Sequence, residues 1–146
     1  MTQPSGGDGW RRAVERLEAA MNTLMSGDAS AIKALYSHRD DVTAFFGWGG
    51  FEKGWADVSR RWEWAAQQFQ GGEPVRYEHL TALTAPGLAV TTHVESTRVR
   101  LAGTDRPTEW SNRVTHVFRL EDGDWRLVHR HANRLEPRYE PGPRVH

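Results

Sequence analysis

The segment from Trp110 to Asn133, WSNRVTHVFRLEDGDWRLVHRHAN, combines a clear strand pattern with side chains capable of chemistry. Two runs of alternating residues flank the acidic, glycine-containing turn at 121–124, which predicts an antiparallel hairpin. Alternation puts these side chains on the inner face: Trp110, Asn112, Val114, His116, Phe118, Leu120, Trp125, Leu127, His129, His131 and Asn133. It puts Arg126, Val128 and Arg130 on the opposite face. An apolar face with a few imidazoles and an amide is typical of a small-molecule pocket.

The length and charge of the chain restrict the class of protein. With 146 residues it fits one domain that buries roughly two thirds of its unfolded surface. The 19 basic and 19 acidic residues cancel and are scattered, so we expect no nucleic-acid partner and no membrane partner. The sequence has no cysteine, which excludes disulfides and thiolate chemistry. We see no signal pattern and no apolar run of membrane length, and therefore expect a cytoplasmic protein.

The chain before the hairpin predicts helices followed by strands. Apolar residues spaced by three and four predict a helix from Trp10 that Asp8 caps, and the residues before it form a tail. The remaining predicted elements are helices at 29–36 and 55–70, strands at 42–46, 75–84 and 88–101, the domain at 10–133, and tails at 1–9 and 134–146. This order predicts an α+β fold with helices on one side of a curved sheet.

A glycine-rich loop, residues 47–51, follows the first predicted strand. Three glycines in four positions remove the side chains that would stabilise a regular element. The loop carries Trp48 and Phe51, and two aromatic side chains on such a loop suit the rim of a pocket.

Several motifs together resemble one known superfamily. They are Gly27-Asp28 before a short helix that ends in Leu35-Tyr36, the pair Asp40-Asp41 before a strand, the glycine-rich loop, Gly54 before a helix, and the closing segment 113–133. In this order they resemble the SnoaL-like and ketosteroid-isomerase-like proteins of the nuclear transport factor two-like superfamily. The resemblance implies a cone-shaped, strongly bent antiparallel sheet around about three N-terminal helices, with a pocket inside the cone. It also implies a homodimer formed through the outer face of the sheet.

The resemblance suggests positions for site residues but not one reaction, because this fold supports many functions. The general base of the ketosteroid isomerases corresponds to Phe46, so we do not expect their mechanism here. Their substrate-binding acid corresponds to His116. The closing W-x-x-V-H-x-H motif also resembles the association domain of calmodulin-dependent kinase, in which a pocket arginine corresponds to His116. Both comparisons imply that His116 lies inside the cone.

The strand at 88–101 leaves its orientation open. If Ala89, His93 and Glu95 face inward, Glu95 lies near His116, and the two form a candidate acid/base dyad. If Val90 and Val94 face inward instead, the interior is more apolar and Glu95 faces solvent.

The other candidate site residues orient or surround a ligand. We predict that His131 and Asn112 orient the substrate beside the His116–Glu95 dyad. Candidate ligand-binding residues are Tyr36, His38, Phe46, Trp48, Phe51, Trp62, His93, Trp110, Phe118 and His129. The H-x-H pair at 129 and 131 also suggests a metal site, but a metal needs further ligands, and we expect neither metal nor cofactor.

These observations predict a small-molecule pocket protein with an apolar ligand or substrate. As an enzyme it would act by acid/base chemistry without a cofactor, in the style of an isomerase, cyclase, lyase or hydrolase. The alternative is a non-catalytic ligand-binding or association module of the same fold.

Overall fold

The computed structural model describes residues 6–139 and contains three helices and seven strands in this range. The helices are α1 (Gly6–Met25), α2 (Ser30–Leu35) and α3 (Trp55–Gln67). The strands are β1 (Thr43–Phe45), β2 (Glu52–Lys53), β3 (Phe69–Gly72), β4 (Arg76–Ala85), β5 (Leu88–Leu101), β6 (Thr108–Glu121) and β7 (Asp124–Arg134). The predicted α+β class and the three helices are confirmed.

All seven strands belong to one curled sheet that wraps around the helices. The strand order is β2-β1-β7-β6-β5-β3, and β4 also pairs with β5. The predicted hairpin is present as β6 and β7, and its turn contains Asp122 and Gly123, both with positive φ. The sheet is mixed, because β1 runs parallel to β7.

Several predicted boundaries differ from the structure. Helix α1 begins at Gly6, so residues 6–9 are helical and Asp8 lies within the first turn instead of capping it. Residues 1–5 and 140–146 of the predicted tails lie outside the described residues. Helix α3 ends at Gln67, and the segment after it forms β3 by pairing with β5.

The core lies between the helices and the concave face of the sheet. Leu17 and Leu24 of α1, Ile32 of α2 and Trp62 of α3 are buried there against Phe118 of β6. The inner face of β5 carries Ala89, Thr91, His93, Glu95 and Thr97, all buried. This is the first of the two predicted orientations of β5, and it brings a carboxylate into the core.

A β-bulge interrupts β7 and changes which side chains face inward. Val117 pairs with His129 and Phe118 pairs with Leu127, so Val128 is an extra residue between two ladder positions. Before the bulge Trp125 and Leu127 face the core, and after it Arg130 and Ala132 do. The predicted orientation of the second half of β7 is therefore wrong. His129, His131 and Asn133 point away from the core, and Arg130 points into it.

Candidate functional site

The site is centred on an ion pair between two strands that are not neighbours. Arg130 of β7 and Glu95 of β5 are each 4% exposed and lie on either side of β6. Arg130 Nη2 donates to Glu95 Oε1, and Arg130 Nη1 lies 3.3 Å from Oε2. A buried charge is tolerated only when it is paired and hydrogen-bonded, which this geometry achieves.

His116 joins the ion pair through the same guanidinium. Its ring is fully buried, and its Nε2 lies 3.0 Å from Arg130 Nη1. A guanidinium can only donate, so Nε2 is the acceptor and a neutral ring carries its proton on Nδ1. Burial and then the nearby charges of Arg130 and His93 hold the pKa of His116 well below its usual value. His116 is therefore neutral near pH 7 and offers an N–H donor at Nδ1.

Two further polar side chains complete the set. Asn112 Nδ2 and His93 Nε2 each lie 3.4 Å from a carboxylate oxygen of Glu95. An ionised carboxylate only accepts, so the amide nitrogen of Asn112 must face Glu95 and its Oδ1 must point elsewhere. We refer to Glu95, Arg130, His116, Asn112 and His93 as the interior polar cluster.

The cluster keeps Glu95 ionised. Burial raises the pKa of a carboxyl group, but here the positive charge of Arg130 and the hydrogen bonds from His93 and Arg130 outweigh burial, so the pKa of Glu95 lies well below its ordinary value. The same partnership raises the pKa of Arg130 despite its burial. The Glu95–Arg130 pair is thus zwitterionic, with no net charge.

A central cavity of about 30 Å³ lies beside the cluster. Its lining is apolar except for three members of the cluster: Met21, Leu24, Met25, Phe46, Trp48, Trp62, Ala65, Phe69, Trp110, Glu95, Asn112 and Arg130. This volume exceeds the roughly 10–15 Å³ that one water molecule requires but is far below the several hundred Å³ of a typical ligand site. A larger ligand must therefore displace part of the wall.

Trp48 is the part of the wall contributed by the glycine-rich loop. Its ring packs 5.1 Å from that of Trp64 and 5.5 Å from those of Phe69 and Trp110, measured between centroids. Gly49 and Gly50 follow it with positive φ, and a Cβ at either position would meet nothing within 4 Å. Trp48 is therefore held by ring contacts on a segment with open space beside it.

The structure brings many of the predicted site residues together. His116, Glu95, Asn112 and His93 meet in the interior polar cluster, and Phe46, Trp48, Trp62 and Trp110 line the central cavity. Phe118 is buried with its ring centroid 6.0 Å from that of His116. The predicted contact between Glu95 and His116 runs through Arg130, because the guanidinium bridges the carboxylate and the imidazole.

Other predicted residues lie away from this cavity. His131 and Phe51 line an open outer cleft of about 580 Å³ together with Phe45, Gly47, Gly49, Gly50, Arg113, Asn133, Arg134 and Glu136. Phe51 is 72% exposed, so it does not form a wall of the cone. His129 Nδ1 lies 2.7 Å from Thr43 Oγ1 on the outer side of the sheet. The bulge at Val128 is the reason that both histidines are outside.

The last two predicted residues belong to the packing of α2 and its C-terminal end. His38 is exposed and stacks on Trp55 at 3.9 Å between ring centroids. Tyr36 is buried, and its hydroxyl donates to the carbonyl oxygen of Thr43. Tyr36 was predicted to bind the ligand, but it does not line the central cavity.

Arg130 is the residue that strict alternation misplaced. One signal in the sequence points to its true orientation. Two apolar residues, Leu127 and Val128, are adjacent, and the next apolar residue, Ala132, is an odd number of positions after Leu127. In a regular strand Leu127 and Ala132 would lie on opposite faces, so this spacing indicates that the inward face changes within β7. A bulge is the usual cause of such a change.

Among residues 6–139 no group of three or more His, Asp or Glu side chains is arranged to hold a metal ion. Within the same range no helix has both the length and the apolar character needed to cross a bilayer.

Comparison with solved structures identifies the same architecture. A ketosteroid isomerase-like protein from Erwinia carotovora atroseptica superposes with a TM-score of 0.76 at 15% identity, over 92% of this chain and 100% of that one. A nuclear transport factor two-like superfamily protein from Salmonella enterica gives 0.72 at 13% identity, over 92% and 93%. A protein of the same fold family from Pseudomonas putida KT2440 gives 0.67 at 23% identity, over 91% and 89%. At sequence identities this low, the similarity establishes the fold alone.

No curated protein sequence matches the chain significantly. The family described as the SnoaL-like domain matches residues 14–133, which include α3, every strand but the last residue of β7, and the entire interior polar cluster. The chain therefore belongs to the SnoaL-like domain family, and it has the fold of the nuclear transport factor two-like proteins.

Proposed function

We propose that the protein binds a small, mostly apolar molecule inside the cone and contacts one polar group of that molecule with the interior polar cluster. The observation that carries this proposal is the position of the buried Glu95–Arg130 ion pair, together with Asn112, at the wall of a cavity whose other lining residues are apolar. A few polar groups converging on an apolar lining are typical of ligand pockets.

A purely structural ion pair is the competing interpretation. Buried ion pairs contribute little net stability, and well-packed apolar residues often replace them without loss. A structural role would, however, leave no reason for the pair to border a cavity with polar atoms still unpartnered. Asn112 Oδ1 and Arg130 Nε are buried and have no hydrogen-bond partner among the described residues.

Acid/base turnover without a cofactor is the second candidate, and Glu95 supports it as the one carboxylate in the lining of the cavity. A general base works best with a pKa near the working pH, whereas Arg130 holds that of Glu95 far lower. Nε2 of His116 is also occupied by Arg130. Catalysis therefore requires a substrate that draws Arg130 away from both groups, so binding is the better-supported function.

Filling the cavity tests the proposal. Ala65 lines the cavity and its neighbour Ala66 does not, although both are buried on α3. We expect menthone, a compact apolar ketone, to change the tryptophan fluorescence of the wild type and of Ala66→Leu, because Trp48, Trp62 and Trp110 surround the cavity. We expect Ala65→Leu to abolish the response. Absence of binding to the wild type, or equal binding to both variants, would overturn the proposal.

A further inference from the structure

The unpartnered polar atoms of the central cavity indicate what kind of polar group it accepts. Three residues of the lining each carry one buried polar atom without a hydrogen-bond partner in the described chain: Trp62 Nε1, Arg130 Nε and Asn112 Oδ1. Trp62 is 2% exposed, Arg130 4% and Asn112 6%. A buried polar atom without a hydrogen-bond partner destabilises the folded protein. Three such atoms around one cavity therefore need an explanation.

These atoms form a defined set of donors and acceptors. The indole and guanidinium nitrogens can only donate, and the orientation of Asn112 imposed by Glu95 makes its Oδ1 an acceptor. The three residues are neighbours, since Asn112 and Arg130 share Glu95 and Arg130 Cζ lies 5.9 Å from the centroid of the Trp62 ring. The residues that line the cavity therefore carry two unpartnered donors and one unpartnered acceptor.

We propose that the cavity selects ligands whose buried head group is a neutral oxygen, a hydroxyl above all, that accepts from Trp62 and Arg130 and donates to Asn112. This inference rests on the proposed function. A hydroxyl accepts two hydrogen bonds and donates one, which satisfies all three atoms. A ketone oxygen satisfies the two donors only, so an alcohol binds more tightly than the matching ketone.

Charge excludes the alternative head groups. Glu95 and Arg130 are the two charged residues of the lining and neutralise each other, so the lining has no unpaired charge for a carboxylate or an ammonium group. Such a group would be buried without a counter-ion, which costs far more than burying a hydroxyl. An anion would also face the Glu95 carboxylate, which lines the same cavity.

The glycine-rich loop passes close to the amide group of Asn112. A Cβ built at Gly47 would lie 3.8 Å from Asn112 Oδ1 and 3.6 Å from the carbonyl oxygen of Ala132. A side chain at position 47 would therefore contact the amide oxygen of Asn112.

A matched series of ligands tests the inference. Menthol, menthone, menthylamine and menthane carboxylate share one apolar body and differ in the head group, and titration calorimetry measures their affinities for the full chain. We expect menthol to bind most tightly, and the amine and carboxylate at least about tenfold more weakly, which corresponds to 1.4 kcal/mol. Tighter binding of a charged member would overturn the inference but leave the proposed function standing. Binding of none would overturn the proposed function itself.

Two variants separate the hydrogen bond from the shape of the pocket. Trp62→Phe removes the Nε1 donor and keeps an aromatic ring, whereas Trp48→Phe makes the same change at a lining residue whose nitrogen is not among the unpartnered atoms. We expect Trp62→Phe to weaken the binding of menthol about tenfold. The binding of menthane, which has no head group, should weaken only slightly, and to the same extent in Trp62→Phe and Trp48→Phe. Equal losses for menthol in both variants would contradict a role for the indole N–H. Thermal unfolding of both variants verifies that each is folded.

Discussion

The two faces of the β6–β7 hairpin carry the same kinds of side chain in opposite environments. The inner face holds Arg130, His116 and Asn112, all buried, beside a cavity of about 30 Å³. The outer face holds Arg113, His131 and Asn133, all exposed, in an open cleft of about 580 Å³. An arginine, a histidine and an asparagine occur on each side, so residue type alone does not distinguish the two sites.

Burial makes the difference between these faces. On the outer face Arg113, His131 and Asn133 are solvated, so a change at one of them should cost little stability. On the inner face every charge depends on a partner, because an isolated charge in the core is strongly unfavourable. The interior polar cluster should therefore respond to mutation and pH as one unit, and the outer residues singly.

The largest effect should follow from removing the buried arginine. Arg130→Met leaves Glu95 buried and unpaired, and we expect a loss of about 3–5 kcal/mol in the free energy of unfolding. Arg113→Met, the matched change on the outer face, should stay within about 0.5 kcal/mol of the wild type. Urea denaturation measures both.

A double variant tests whether the loss comes from the orphaned carboxylate. Arg130→Met combined with Glu95→Leu removes both charges and should recover a large part of the stability. Similar losses for Arg130→Met and Arg113→Met would show that the two faces do not differ as described.

The second effect is the pH dependence that His116 imposes. Its pKa in the folded state lies below the value of about 6.5 expected in the unfolded chain. Below pH 6.5 the unfolded state therefore binds more protons than the folded state, and stability falls as pH falls, by up to about 1.4 kcal/mol per pH unit. His116→Gln keeps an acceptor for Arg130 but does not titrate, so its stability should change less between pH 6.5 and 5.

His129 provides the matched comparison for this pH effect. Burial, together with the charge of His131, lowers its pKa as well, but it is only partly buried on the outer side of the sheet. His129→Gln should flatten the pH profile of stability less than His116→Gln does. Chemical denaturation at several pH values measures both profiles, and an equal change in the two would contradict the assignment of His116 to the dry interior.

Sequence pattern was sufficient to predict the α+β class and the inner face of β6, and the resemblance to a known superfamily implied the cone-shaped sheet. The alternation from Trp110 to Leu120 and the turn at Gly123 are local features, and the structure confirms the hairpin. The inward orientation of β5 remained open in the sequence, because both of its faces carry β-branched residues. The orientation of β5 depends on its pairing with β6 and on its packing against the helices.

The errors have a common physical cause in long-range pairing. The segment at Phe69–Gly72 has little strand propensity and becomes β3 only because β5 lies beside it. The bulge at Val128 is a shift in the register between β7 and β6, and a prediction based on strict alternation contains no such shift. That single residue moved Arg130 into the site and His131 out of it, so an interior ion pair could be predicted only in part, from Glu95.

The smallest effect should come from an ion pair at the surface. Asp41 accepts two hydrogen bonds from Arg119, at 2.7 and 3.0 Å, but its side chain is largely solvent-exposed. Asp41→Asn should cost no more than about 1 kcal/mol, and less in high salt, since exposed pairs are weak and screened. Urea denaturation at low and high salt measures this loss of stability.

Arg119→Gln should cost more stability than Asp41→Asn, because Arg119 also binds Glu121. Glu121 is nearly buried and accepts a hydrogen bond from Ser37, which follows the C-terminal end of α2. A salt-independent loss for Asp41→Asn as large as that of Arg130→Met would show that burial does not set the strength of ion pairs in this protein.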